Sequence, residues 1–294
     1  MCWPGTVSQQ KEAQLMTSPK SLAVKAGAVA WIAGTAQFFI AELVAQSAWR
    51  TPYSWAANAI SDLGAVHCGS TGTANPPPRY VCSPLHSVLN TSAIMLGILL
   101  ASGAILTSPA WGPGAASRAG RALLAAAGAG LVLAGLKPED VNLNQHVLGA
   151  FLLFGAGSTG FVVAALTRRE SPLGRLRALT LPLSITAVTA TWLMFSHHTP
   201  VIGYGGMERA ALYPLLCWTV ITGAYLLLAT IRPRSSPHNQ GACPAGQPGR
   251  KPAGDAPADP PAARPQPGVI ASRQEHPRSH ADGLNSPEMG AEPR

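Results

Sequence analysis

The sequence predicts an all-α polytopic membrane protein: six transmembrane helices in one bundle, both termini cytoplasmic, and a disordered C-terminal tail. Three observations lead there. Only 12% of the 294 residues are charged, about half the share of a soluble domain. The apolar residues fall into six blocks, each near the roughly 20 residues of helix that cross a bilayer. Lys and Arg cluster at the block ends, where they act as topology signals. The net charge of +8 is therefore not read as a nucleic-acid surface. The expected partners are membrane lipids, with no nucleic acid.

In chain order, residues 1–21 form a cytoplasmic segment and the first span runs from Leu22 to Ala45. Its apolar run exceeds the ~7–15 residues of a signal-peptide core, which makes it a retained anchor. The second span covers Leu85 to Thr107, with Ser83 and Pro84 suited to a helix N-cap and first turn. The third covers Ala119 to Leu136. The fourth covers His146 to Thr167, after "KPEDVN", whose Glu139 and Asp140 suit a helix N-terminus. The fifth covers Ala178 to Ser196 and the sixth Ala210 to Ile231, with Pro182 and Pro214 in or near their first turns. Each must be helical, because a lone segment in lipid satisfies its backbone only internally. The membrane domain is thus 22–231. The remainder, 232–294, is rich in Pro, Gly and Ala and holds too little apolar surface to offset the entropy of ordering.

Small residues recur at four-residue spacing in the third span (Ala126, Gly130, Ala134) and the fourth (Ala156, Gly160). Such rows let membrane helices approach closely, so these two spans are expected to pack on each other or on a neighbour.

Orientation follows from the basic residues. One side receives Lys11, Lys20, Lys25, Arg118, Arg121, Arg168, Arg169, Arg175, Arg177, Arg232 and Arg234, and the other only Arg50, Arg79, Lys137 and Arg209. The richer side is cytoplasmic, which sets the chain in the cell membrane with its first, third and fifth loops outside.

Those outer loops and helix ends hold the polar chemistry. Cys68 and Cys82 lie together in the first outer loop, where the compartment permits a disulfide. Glu42 sits about one turn from the outer end of the first span, and an acid at membrane depth should face the bundle or a wet cavity. Helical spacing puts Thr35 and Gln46 on its face. His86 with Asn90, and Asn142 with His146, form similar stripes on the second and fourth spans. Glu42, Ser61, Asp62, His86 and His146 are the candidate site. His197, His198 and Glu208 are read as lying in the outer loops or at outer helix ends.

The motifs "YSWAANAISDLG", "CSPLHSVLNTSAIMLG" and "LKPEDVNLNQHVLGA" resemble domain-of-unknown-function family 998, multi-pass membrane proteins of bacteria and archaea. The resemblance spans about Ala23 to Ile231 and rests on Asn58, Ser61, Asp62, Gly64, Ser83, His86, Pro138, Glu139, His146 and Gly149. It implies fold and location and brings no activity or cofactor.

Three functions fit these residues. The leading one binds or moves a lipid or small polar molecule through an outward-facing polar pocket. The alternative is a membrane hydrolase, with Asp62, His86 and His146 holding a metal and an open position for water, and Glu42 as general base. In a variant of it Ser61 is the nucleophile, though no nucleophile elbow surrounds it. The third is a scaffold whose tail recruits partners.

Overall fold

The computed structural model describes residues 19–71, 78–198 and 202–231. The expectations for residues 1–18 and 232–294 lie outside the described residues. The described residues form eight α-helices: α1 (Pro19–Ser47), α2 (His86–Leu106), α3 (Ser108–Trp111), α4 (Ala115–Leu136), α5 (Leu143–Phe151), α6 (Gly157–Ala165), α7 (Arg177–Phe195) and α8 (Gly203–Ile231). A π-helical turn, Leu152–Ala156, joins α5 to α6 into one continuous span. Among the described residues, six helices are long and apolar enough to cross a membrane. The chain is a multi-pass membrane protein.

The last span begins earlier than its hydropathy suggests. The sequence places its start at Ala210, yet α8 begins at Gly203. Glu208 and Arg209 are therefore helical residues and not loop residues. The first span also starts earlier, at Pro19 rather than Leu22.

The spans pack in chain order around a ring. α1 lies on α2, α2 on α4, α4 on the α5–α6 span, α6 on α7, and α7 on α8, which returns to α1. Burial from water cannot drive this in lipid, so the contacts are built from small residues. At the α2–α4 crossing the two backbones touch through glycine: a Cβ on Gly128 would stand 2.4 Å from the Gly97 carbonyl oxygen. At the crossing of α4 with α5, a Cβ on Gly130 would stand 2.5 Å from the Gly149 carbonyl oxygen. Gly160 fits in the same way against Leu123 and Gly120. The third and fourth spans thus use Gly130 and Gly160 as close contacts. Gly128→Val is expected to cost about 1–3 kcal/mol by overpacking and to lower the thermal-unfolding midpoint in detergent. Gly69→Ala, where a Cβ meets nothing within 4 Å, should leave the midpoint unchanged.

At the end of the bundle remote from the loop between α1 and α2, the interior is filled by aromatic rings. Trp218 of α8 meets Trp31 at 5.5 Å, Phe161 at 5.1 Å and Trp111 at 6.4 Å between ring centroids. Each buried indole N–H has an acceptor: Leu100 O for Trp31, Thr107 Oγ1 for Trp111 and Thr180 Oγ1 for Trp218. Burying a tryptophan without such a partner is costly. This half is closed.

The other half is capped by the α1–α2 loop. It contains a 3-10 turn at Ser61–Gly64 and a two-stranded antiparallel hairpin, β1 (Gly69–Thr71) with β2 (Arg79–Val81), in register Gly69↔Val81 and Thr71↔Arg79. Cys68 and Cys82, one residue outside that register, are joined by a disulfide. Ala59, Ile60 and Leu63 of the loop are buried in the bundle mouth.

Candidate functional site

Two ion pairs organise this end of the bundle, one between helices and one within the loop. The first joins α1 and α8. Glu42 and Arg209 are buried, with 3.2 Å between carboxylate and guanidinium. Tyr213, one turn further along α8, donates its hydroxyl to both Glu42 oxygens at 2.8 and 2.9 Å. Arg209 then satisfies backbone carbonyls of the loop and of the first turn of α8. Its Nη1 donates to the carbonyls of Asn58 at 2.8 Å, Gly205 at 3.0 Å and Trp55 at 3.3 Å, and its Nη2 donates to the Tyr53 hydroxyl. The guanidinium also lies 4.7 Å from the Trp55 ring centroid, within cation–π range. Burial pushes the Tyr53 phenol up, so it stays protonated and donates onward to Ala59 O.

The loop can come this close because α8 opens on "GYGG". A Cβ on Gly205 would stand 2.0 Å from the Asn58 carbonyl oxygen, so any side chain there would push the loop away. Gly203 has a φ of +71°, a backbone state that costs other residues 1–2 kcal/mol or so, about what left-handed helix does.

The second pair is Asp62 with Arg79. Asp62 is fully buried in the 3-10 turn. Arg79 of β2 grips it with Nε on Oδ2 at 2.7 Å and Nη2 on Oδ1. The Ala59 N–H adds a bond to Oδ2 at 2.9 Å. Beside this pair lies Glu139, from the loop after α4. Burial and then the neighbouring Asp62 carboxylate raise its carboxyl to about 8, against the pull of Arg79 and of the Ser61 hydroxyl. It is therefore largely protonated at neutral pH. Asp140 next to it behaves oppositely. Partial burial would raise it, but the N–H groups of His67 and Val66 and the His67 ring outweigh this and hold it below the usual carboxylate range. It accepts from those N–H groups at 2.7 and 3.1 Å, tying the hairpin base to the α4–α5 loop.

Between these anchors the bundle holds a partly open cavity of about 70 Å³. Ser61, Asn90, His146 and Glu208 line it, together with Phe38, Leu89, Leu131, Leu153, Phe154 and Leu212. The polar residues are gathered at the loop end. The apolar ones reach deeper: His146 to Phe154 is eight residues, roughly 12 Å of helix. The π-helical turn contributes Leu153 and Phe154, and such turns recur at functional sites in helices.

Of the five candidate residues, the structure brings two to this cavity, Ser61 and His146. His146 is aimed by its Nδ1, which donates to Lys137 O at 2.9 Å and Ala134 O at 3.3 Å. Asp62 lies under the loop with both carboxylate oxygens on Arg79. Glu42 is locked by Arg209 and Tyr213. His86 bonds through Nδ1 to Ser83 O at 3.0 Å. Among the described residues no three His, Cys, Asp or Glu side chains are grouped as metal ligands. Thr35, on the Glu42 face of α1, bonds Thr219 of α8 at 2.9 Å. Asn142 caps α5 by accepting from Gln145 N–H at 3.1 Å.

Sequence reasoning missed Arg209 as a functional partner and left Glu208 out of the candidate set. A signal was present: an acid at membrane depth requires a cation or a wet cavity, and Arg209 is one of four basic residues assigned to that end.

Residues 32–225 match the model of a protein family described as a protein of unknown function, DUF998. No curated protein and no solved structure matches the chain.

Proposed function

Because the chain belongs to the DUF998 family, whose description carries no activity, we propose a function from its geometry: it holds a lipid-like amphiphile in the bundle cavity. The tail lies among Phe38, Leu131, Leu153, Phe154 and Leu212, and the head meets Ser61, Asn90, His146 and Glu208. The observation that carries this reading is the cavity itself, apolar in depth and polar at one end, which is the pattern of small-molecule sites generally. A cavity confined to water and small ions would not need six large hydrocarbon side chains.

The polar end faces the extracytoplasmic side of the cell membrane on this reading. Two of the four basic residues at that end, Arg79 and Arg209, are spent in buried ion pairs. The sequence assigns four basic residues to that end against eleven to the other, the sense of the positive-inside bias. The Cys68–Cys82 disulfide also suits an oxidising compartment.

Ala150 lines the cavity, and Ala150→Phe should fill it from α5. Solvent extraction and mass spectrometry of the purified wild type should yield an amphiphile near one per chain, and the variant should lose most of it while keeping its fold. Equal recovery from both, or none from the wild type, would reject the proposal.

A further inference from the structure

The polar end of the cavity is built of acceptors, and we infer that its ligand has a hydrogen-bond-donating head, a hydroxyl or an ammonium, in preference to a phosphate, sulfate or carboxylate. This rests on the amphiphile reading and narrows it to a ligand class.

The inventory is short. His146 Nδ1 faces two carbonyl oxygens, which only accept, so Nδ1 carries the hydrogen and Nε2 of the neutral ring keeps its lone pair. Glu208 accepts the Ile60 N–H on Oε2 and retains further lone-pair sites, since a carboxylate offers about four. The Ser61 hydroxyl serves the Glu139 carboxyl as hydrogen-bond donor, leaving its own lone pairs. Asn90 donates through Nδ2 to Gly64 O at 2.8 Å, so it keeps Oδ1 and one N–H. With Glu208 ionised, that single N–H is the one side-chain donor left among the four.

Among the described residues no Lys or Arg lines the cavity. The two guanidiniums nearby are engaged by carboxylates, Arg79 by Asp62 and Arg209 by Glu42 and three backbone carbonyls, with Nη1 of Arg79 and Nε of Arg209 left without a partner. An anionic head would therefore be stripped of water beside the Glu208 carboxyl with one N–H to replace it, a costly exchange. A hydroxyl or ammonium meets three acceptors instead. Glu208 further separates these two heads, because its carboxylate attracts a cation more strongly than a neutral donor.

The test uses three probes with one tail: hexadecanol, hexadecylamine and hexadecyl sulfate, bound to the full-length chain in phosphatidylcholine nanodiscs. The alcohol and amine should bind at least about tenfold more tightly than the sulfate. Glu208→Gln, whose amide oxygen still accepts from Ile60 N–H, should weaken the amine about tenfold or more and the alcohol less than about threefold, the scale set by losing a hydrogen bond to a charged group. An unchanged unfolding midpoint for the variant confirms that the fold is kept. Sulfate binding as tight as the alcohol, or equal losses for amine and alcohol in Glu208→Gln, overturns the head assignment but leaves the pocket standing. If the wild type binds no probe, or Ala150→Phe binds all three as the wild type does, the amphiphile reading itself fails.

Discussion

Replacing Arg209 with Met should destabilise the bundle by about 3–5 kcal/mol, the range for removing one partner of a buried ion pair. In a detergent melt this corresponds to a midpoint roughly 6–20 °C lower, using the slope for domains of this size. The loss is large because Arg209 serves several acceptors at once. Without it the Glu42 carboxylate keeps only Tyr213, and Asn58 O, Trp55 O and Gly205 O lose a donor together. Arg209→Lys should recover only part of the loss, since a compact ammonium cannot span the fork geometry that a guanidinium does. Pairing Arg209→Met with Glu42→Leu should cost less than Arg209→Met alone, because the stranded carboxylate goes as well. A double variant no better than the single would show that the pair is not coupled.

The spans were legible because lipid leaves the backbone no alternative to helix over ~20 apolar residues. The error at the start of α8 has a physical origin. "GYGGMER" is poor in hydrocarbon and carries two charges, so it reads as a loop. In the fold its glycines admit the backbone of residues 55–58 and its charges turn inward to Glu42 and Ile60 N–H. Hydropathy averages what a residue is, and burial here depends on what it is paired with. The candidate site was legible in the same partial way. The concentration of polar groups at one end was readable from the spacing of "SDLG", "CSPLH" and "KPEDVNLNQH". Which of them face a cavity was not, because that is decided by the loop's path over the bundle. Ser61 points to the cavity while its neighbour Asp62 points to Arg79, a separation that follows from one residue of 3-10 turn. Of Glu42, Asp62, His86 and His146, His146 lines the cavity and the other three are held by partners outside it.

Arg79→Met should produce a loss of similar size that depends on pH. Arg79 is the cation facing both Asp62 and Glu139, so removing it leaves two buried carboxyl groups side by side with Ser61 and the Ala59 N–H for support. Glu139 already titrates near 8 in the fold against 4.5 for an unperturbed Glu. A carboxyl group raised on folding holds its proton in the native state after the unfolded chain has released it. Its contribution to stability is full below pH 4.5 and declines as pH rises toward 8. Arg79 offsets that decline by favouring the ionised forms. The variant should therefore lie close to wild type near pH 4.5 and fall about 3–5 kcal/mol below it at pH 8. Adding Glu139→Gln to Arg79→Met removes one of the two acids and should restore part of the stability at pH 8 while changing little at pH 4.5. Unfolding midpoints of the three proteins across that range decide the matter. A loss in Arg79→Met that is the same at both ends would mean that the guanidinium acts by packing under the loop, and that the proximity of the two acids carries no electrostatic weight.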